Sequence, residues 1–420
     1  MSRDRNIFLR IDWLLVVLYL VLAVLGILSI YSVEAGREGF SFSFSQGYVK
    51  QMIWVAIGVL AGFLVLLIDK RFFQATSYPI YILILLLIVG AGIWGVAVGG
   101  TKGWIDLGFF RLQPSEFGKL ATALALAKFL TTYGVRVEKP KHLIGAFALI
   151  FIPVGFILTQ QSDVGTSVIY FALGLVLYRQ GMHSFFIFFP LWAGVLFLLT
   201  LLFDEIMVVF ALVSIAVIAI AITRLQRKWF LGIAGTLIVS ALFVFGVNYA
   251  FEEILQEHHK QRINVLIGQE IDMRGPGYNV HQSLIAVGSG GMTGQGFLNG
   301  TQTQYDFIPE QNTDFIFCAI AEERGFLGSA FLLLIYLVLL LRIVFLSESV
   351  KDRFTRVFGY GLASILFLHF TINIAMTIGL FPVVGIPLPF VSYGGSSFLS
   401  FSLMLFIFLT MEAQSREVEY

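Results

Sequence analysis

The 420-residue chain is 58% hydrophobic and 13% charged, against roughly a quarter charged in an ordinary soluble domain. Its charges cluster between apolar runs close to the ~20 residues that cross a ~30 Å hydrocarbon core at 1.5 Å per residue, which excludes a soluble globular protein. A formal charge of +1, from 27 basic and 26 acidic residues, provides no phosphate-neutralising patch, so no nucleic-acid partner is expected.

The first apolar run, Trp13 to Tyr31, follows Arg3, Arg5 and Arg10. It is too long for the apolar region of a signal peptide and lacks a small-residue cleavage site, so it reads as a first span. Further runs cover Met52 to Ile68, Tyr78 to Val98, Phe117 to Leu130, Leu143 to Thr159, Val164 to Tyr178 and Phe185 to Phe203. The last five cover Ile206 to Ile222, Trp229 to Ala250, Phe315 to Phe345, Val357 to Leu380 and Phe390 to Thr410. The segments between them are rich in turn residues, whereas a membrane barrel needs ~10-residue alternating strands. The expected fold is an all-α polytopic bundle of about twelve transmembrane helices in one membrane domain, 1–420.

With the N-terminus inside, seventeen Lys and Arg fall in inner segments and seven in outer ones. The positive-inside rule then puts both termini in the cytoplasm. The outer segment from Phe251 to Thr313 is 63 residues long and glycine-rich between Gly288 and Gly300. Loops of that length are functional or disordered, and the apolar stretches Ser283 to Val287 and Phe307 to Pro309 favour half-helices or turns packed on the membrane domain. The lone Cys318 excludes an internal disulfide.

Asp314 begins the run after this loop, and two readings fit it. It is either an N-cap, favoured by the helix macrodipole, or a general base at the membrane surface. Glu116 and Lys119 are three apart within an apolar run and neighbours on one helix face, either a mutually satisfied pair or a lysine aimed at substrate phosphate. Glu322, Glu323 and Arg324 suit a buried charge network. Asp163 stands at a helix start, where capping is the default. Pro387, Pro389, Gly394 and Gly395 fall at the start of the last helix, and such broken backbone is tolerated only where it is buried in protein or lines a cavity. The glycine-rich stretch Gly288 to Gly296 lacks the Lys-Ser/Thr of a P-loop, and the adjacent His258 and His259 make a poor metal pair.

Five segments are similar to the SEDS family of polytopic peptidoglycan glycosyltransferases: Trp104 to Lys119, Gln161 to Thr166, Gly275 to Gly296, Ile308 to Glu323 and Phe381 to Ser397. Their wording resembles the cell-elongation branch more than the division branch. The resemblance implies Asp314 as catalytic carboxylate. It also places Glu116, Lys119 and Asp163 at a central cavity. Glu322, Glu323, Ser392 and Tyr393 are further candidate substrate or cavity residues, and Lys119, with Lys102 and Arg262 behind it, is the first candidate cation for the leaving pyrophosphate. Departures from the family pattern are Gly103 for an Arg, Asn312 for a His and Ser162 for a Pro. The family core has ten spans, so 185–222 reads as an inserted helix pair and 251–313 as the large extracytoplasmic loop.

The implied substrate is lipid II, a disaccharide-pentapeptide on undecaprenyl pyrophosphate, polymerised by inverting displacement. No protein motif holds a cofactor or metal, although Mg²⁺ is expected with the pyrophosphate. The implied partners are a class B penicillin-binding protein, which supplies the crosslinking, and the elongation proteins MreC and MreD, in the bacterial inner membrane. A lipid II flippase and a pure scaffold stay open as rival readings, because intramembrane charges suit a transporter too.

Overall fold

The computed structural model describes residues 9–35, 42–98, 100–108, 110–222, 227–249, 276–305 and 307–416. The chain divides into two compact units, Met1–Met182 with Asn279–Tyr420, and His183–Tyr278.

In the larger unit the helices are α1 (Trp13–Ala35), α2 (Gly47–Val65), α3 (Lys70–Trp94), α4 (Pro114–Thr131), α5 (Pro140–Phe156), α6 (Val164–Ile169) and α7 (Leu173–Arg179). The smaller unit holds α8 (Phe185–Leu202), α9 (Glu205–Ile222) and α10 (Arg227–Tyr249). The larger unit resumes through α11 (Pro276–Ser289), α12 (Thr301–Gln304), α13 (Ile316–Ser349), α14 (Arg353–Thr377) and α15 (Gly395–Ser415).

All twelve apolar runs fall on helical backbone apart from a few end residues. Among the described residues nine helices are long and apolar enough to cross a membrane, which makes this a multi-pass, essentially all-helical membrane protein. Three runs fall short of that measure. Glu116, Lys119 and Lys128 make α4 too charged, and Val164–Arg179 and Phe185–Phe197 are short.

Burial explains why α4 tolerates its charges. Nearly all its residues face protein, and α15 and α14 beside it are 89% and 72% buried, against 28–44% for α1, α2, α3 and α5. Ionisable groups on α4 therefore meet other helices rather than lipid.

The run Tyr78 to Val98 is not helical to its end. The helix stops at Trp94, and Val96–Val98 (β1) pairs antiparallel with Thr101–Asp106 (β2), which pairs with Arg111–Leu112 (β3). Val98 pairs with Thr101 across a Gly-Gly dipeptide, a hairpin signal that the surrounding apolarity concealed.

Residues 251–275 and 306 of the long loop lie outside the described residues, and the described part packs as half-helix and turns. Ser283 on α11 donates to the Thr377 carbonyl at 2.8 Å. The glycine-rich stretch that follows is pinned to α13 where that helix breaks at Gly325 (φ 63°, ψ −161°). There Gln295 and Gly296 amides donate to the Glu322 and Glu323 carbonyls at 3.0 and 2.9 Å, and Phe326 and Leu327 donate to Gly291 and Met292 at 2.8 and 3.1 Å. The loop thereby satisfies backbone groups that a broken membrane helix would leave unpaired.

Gly294 makes this approach feasible, since it has φ 82° and a Cβ there would collide with the Glu323 carbonyl. Gly294→Ala is expected to cost about 2–4 kcal/mol, from left-handed strain plus overlap, read as a lowered Tm of the detergent-solubilised protein. An unchanged Tm would refute this packing.

In the smaller unit, Leu196, Val208, Leu212 and Val244 form a core. Trp192 donates to Ser240 at 2.9 Å, and Asn248 donates to Glu205 at 2.8 Å. The pair 185–222 thus shares its unit with a third helix, α10.

Candidate active site

Two irregular segments, 308–315 and 383–394, meet in the larger unit. Asn373 on α14 joins them, because its amide nitrogen donates both to the Asp314 carbonyl at 2.8 Å and to the Ile386 carbonyl at 2.7 Å. Ser392 adds a second tie, donating to the Thr313 carbonyl at 2.5 Å while accepting from the Leu388 amide at 2.8 Å. The Tyr393 amide donates to the Asn312 carbonyl at 2.9 Å. Ser392 is therefore a buried staple between the two segments.

Asp314 emerges from a turn in which the amides of Thr313, Asp314 and Phe315 all point at the Glu310 carbonyl, at 3.2, 3.1 and 3.3 Å. The capping expectation is not met, for Phe315 flanks α13 and no side chain caps that helix. Among the described residues nothing donates to the Asp314 carboxylate, which is half-buried. Loss of water, and then the negative charges of Glu310 and Asp163, push its pKa up to about 7.

Its close neighbour is Gly385, in the left-handed region at φ 71°, where a Cβ would stand 3.5 Å from Asp314 Oδ2. A side chain here would add strain and crowd the carboxylate.

Asp163 caps α6, as its position suggested. It accepts from the Thr166 amide and hydroxyl at 2.9 and 2.7 Å, and from the Gln113 amide nitrogen at 3.1 Å. Gly165, next in that helix, lies directly against the Val384 carbonyl, which brings the cap and its charge up to the Gly385 segment.

Beside Thr313 opens a cleft of about 800 Å³, lined by Glu34, Gln46, Lys50, Gln304, Glu310, Asn312 and Tyr393 among others. Amides, carboxylates, one ammonium and a tyrosine ring suit the hydroxyls of a carbohydrate. Glu34 accepts from Asn312 at 2.9 Å and from the Tyr48 amide at 3.1 Å. Asn312, standing where the family pattern has His, thus ties the Asp314 turn to α1.

Of the cations assigned from sequence, Lys119 and Lys102 do not line this cleft. Lys119 is fully buried, 2.8 Å from Glu116 and 2.9 Å from His369 Nε2, with its ammonium 5.0 Å from the Phe401 ring. Its ammonium is thus engaged within the bundle, away from the residues that line the cleft. Lys102 is exposed and donates to the Ile93 carbonyl at 3.2 Å. It does not stand in for the family's Arg at Gly103, which points the other way, where a Cβ would meet Gln161 Oε1 at 2.7 Å. Arg262 lies outside the described residues.

Glu322 and Glu323 also differ from a substrate-facing assignment, because both are buried anchors of the loop. Glu322 accepts from the amides of Gln302 and Thr303 at 2.8 and 2.9 Å, capping α12, and also from the Thr303 hydroxyl. Glu323 accepts from the Leu298 amide at 3.2 Å and from Ser32.

The cleft residues Glu34 and Lys50 were legible only as charges flanking apolar runs. His369 and Asn373 are single polar residues inside one such run, and that intramembrane polarity was the signal that could have found them.

The family model FtsW/RodA/SpoVE, described as a cell cycle protein, matches residues 12–417. The chain is 32% identical to the peptidoglycan glycosyltransferase RodA of Treponema pallidum, over 97% of this chain and 98% of that protein. It is 33% identical to the peptidoglycan glycosyltransferase MrdB of Escherichia coli K12, over 82% and 80%. It is 31% identical to the stage V sporulation protein E of Bacillus subtilis, over 96% and 98%. A chain of a solved peptidoglycan synthase complex, described for its coordination of polymerization and crosslinking, superposes with a TM-score of 0.71 at 23% identity, covering 96% of this chain and 98% of that one. Thermus thermophilus RodA superposes with a TM-score of 0.62 at 23% identity, covering 96% and 97%, and both likenesses bear on the fold alone. With a matched model spanning nearly its whole length and relatives above 30% identity over most of theirs, the chain belongs to the FtsW/RodA/SpoVE family.

Proposed function

We propose that this chain polymerises lipid II into glycan strands, with Asp314 as general base. It is a peptidoglycan glycosyltransferase, the activity its relatives' names carry, and those names do not favour the flippase reading. The observation that carries the catalytic assignment is the Asp314 carboxylate, which no donor among the described residues engages and whose pKa is raised to about 7 beside a polar cleft.

Asp314 takes the proton from the 4-hydroxyl of the acceptor sugar as that oxygen attacks the anomeric carbon of the donor. The bond to undecaprenyl pyrophosphate breaks, and a single displacement inverts an α-linked donor to a β-1,4 bond. Lys50 is the cation within the cleft for the departing negative charge. A Mg²⁺ ion carried on the substrate's pyrophosphate would neutralise part of that charge.

We place the chain in the bacterial inner membrane with both termini cytoplasmic and the cleft outside, following the lysine and arginine distribution. Its partners on this reading are a class B penicillin-binding protein, with MreC and MreD, in cell elongation. The test is strand formation from purified lipid II by the solubilised chain with such a partner. No polymer from well-folded protein would overturn the proposal.

A base with a pKa of about 7 is ionised only above it, so turnover is expected to rise with pH through about 7 and to fall away below. Asp163→Asn keeps a capping side chain but removes a negative charge that raises Asp314, so its rising limb should lie at lower pH. A limb that stays in place would remove Asp163 from the site's electrostatics.

A further inference from the structure

At the far end of α13 from Asp314 lies a second cleft, of about 280 Å³, formed where that helix ends and α15 ends beside it. Its wall carries Arg342, Lys351 and Arg416 and the hydroxyl residues Ser349 and Ser415, with no carboxylate among the described residues that line it. The counter-charges sit behind the wall. Asp12, 6% exposed, accepts from Arg342 at 2.5 and 3.0 Å, and fully buried Glu412 accepts from Arg416 at 2.5 Å. A guanidinium has five N–H donors. Arg342 spends two of them and Arg416 one in these pairs, and with the two side chains 33% and 44% exposed their remaining donors are available at the cleft.

Two neighbours reinforce the cationic character. Lys70 donates to Ser415 at 3.3 Å, and Arg356 donates twice to the carbonyl of the lining residue Val350, at 3.1 and 2.6 Å. The nearby acids Asp69 and Asp352 are engaged as helix caps, to the amides of Arg71 and Thr355 at 2.8 and 3.1 Å. The rim has the opposite chemistry. Phe345, 62% exposed, is part of the lining, and Leu341, 59% exposed, lies one turn along α13. These rings and methyls continue along a membrane-crossing helix, so they face acyl chains.

We propose that this cleft binds the headgroup of an anionic phospholipid, its phosphodiester among Arg342, Lys351 and Arg416 and its chains along Phe345 and Leu341. Basic pockets between helices at a membrane surface take such headgroups through charge-assisted hydrogen bonds. The apolar rim selects a lipid over free phosphate. The two arginines are already ordered by Asp12 and Glu412, so little side-chain freedom is lost on binding.

The test uses the full chain in neutral detergent and follows Tm as phosphatidylglycerol, phosphatidylcholine or inorganic phosphate is added. A ligand of the folded state raises Tm with its concentration. Phosphatidylglycerol is expected to raise it, and the other two are not. Lys351 is exposed, and the lipid-free Tm of each Lys351 variant separates any loss of its contacts within the protein from a loss of lipid binding. Lys351→Gln should raise the half-saturating phosphatidylglycerol concentration about fivefold and Lys351→Glu roughly thirtyfold, at the usual increment per surface cation. Lys139→Glu, an exposed charge at the start of α5 and outside the cleft, should leave it unchanged.

An equal response to phosphatidylcholine would overturn the proposal. So would a full response to phosphate alone, which marks a free-anion site, or an equal loss in Lys139→Glu, which marks diffuse attraction.

Discussion

Asp314→Asn is expected to lower glycan-strand formation from lipid II by about 10²- to 10⁴-fold, the usual contribution of a positioned general base. The substitution is nearly isosteric and breaks no hydrogen bond, because nothing among the described residues donates to the carboxylate. The loss should fall on kcat with KM little changed, since proton removal develops only in the transition state. Stability should hold or rise slightly, because a carboxylate short of water gives way to a neutral amide. The measurement is polymer formed at equal amounts of folded protein, with Tm alongside. Activity within tenfold of the parent would remove Asp314 from the chemistry, and so would a loss matched by a large fall in Tm. Ser392→Ala is the informative contrast, because it breaks the tie to the Thr313 carbonyl and strands the Leu388 amide, so its effect should register in Tm as well as in rate.

Apolarity alone located the helices, because lipid permits little else, and the breaks in it located the site. Pro387, Pro389 and Gly394 delay the start of the last helix, and a polar turn leads into the tenth run at Phe315. These are the segments that Asn373 and Ser392 bind together. Their partners were not legible, since a hydrogen bond from α14 to two remote carbonyls leaves no trace in local spacing. The small sheet was hidden for a related reason, as Val96 to Val98 is apolar enough to extend a helix and only the Gly-Gly after it marks the hairpin. For Asp314 the two readings of an acid before a helix could not be separated by sequence, and backbone geometry decided against the cap by making Phe315 the flanking residue. Spacing made Glu116 and Lys119 neighbours correctly, but it could not say whether they face a cavity or the packed helices α14 and α15.

Lys119→Met should therefore cost about 3–5 kcal/mol, the usual penalty for removing one partner of a buried ion pair. Glu116 would keep its charge with no cation, since its pair at 2.8 Å is inside the bundle and 4% exposed or less at both side chains. His369 offers no rescue. Its Nδ1 lies 3.2 Å from the Pro387 carbonyl, which can only accept, so the proton belongs on Nδ1 and Nε2 is left to accept from Lys119. The imidazole is thus neutral and oriented by the same 383–394 segment that abuts Asp314. Glu116→Gln together with Lys119→Met removes both charges at nearly constant volume and should recover most of the lost stability, as buried pairs replaced whole are often neutral. The measurement is Tm for the two single variants and the double in micelles, with polymerisation assayed on whatever folds. Recovery of both stability and turnover in the double variant would make the pair a structural brace for the α4–α14–α15 core. If Lys119→Met folds with a Tm near the parent's yet forms no polymer, the ammonium acts on substrate, and α4 must open to the cleft at some stage of the reaction.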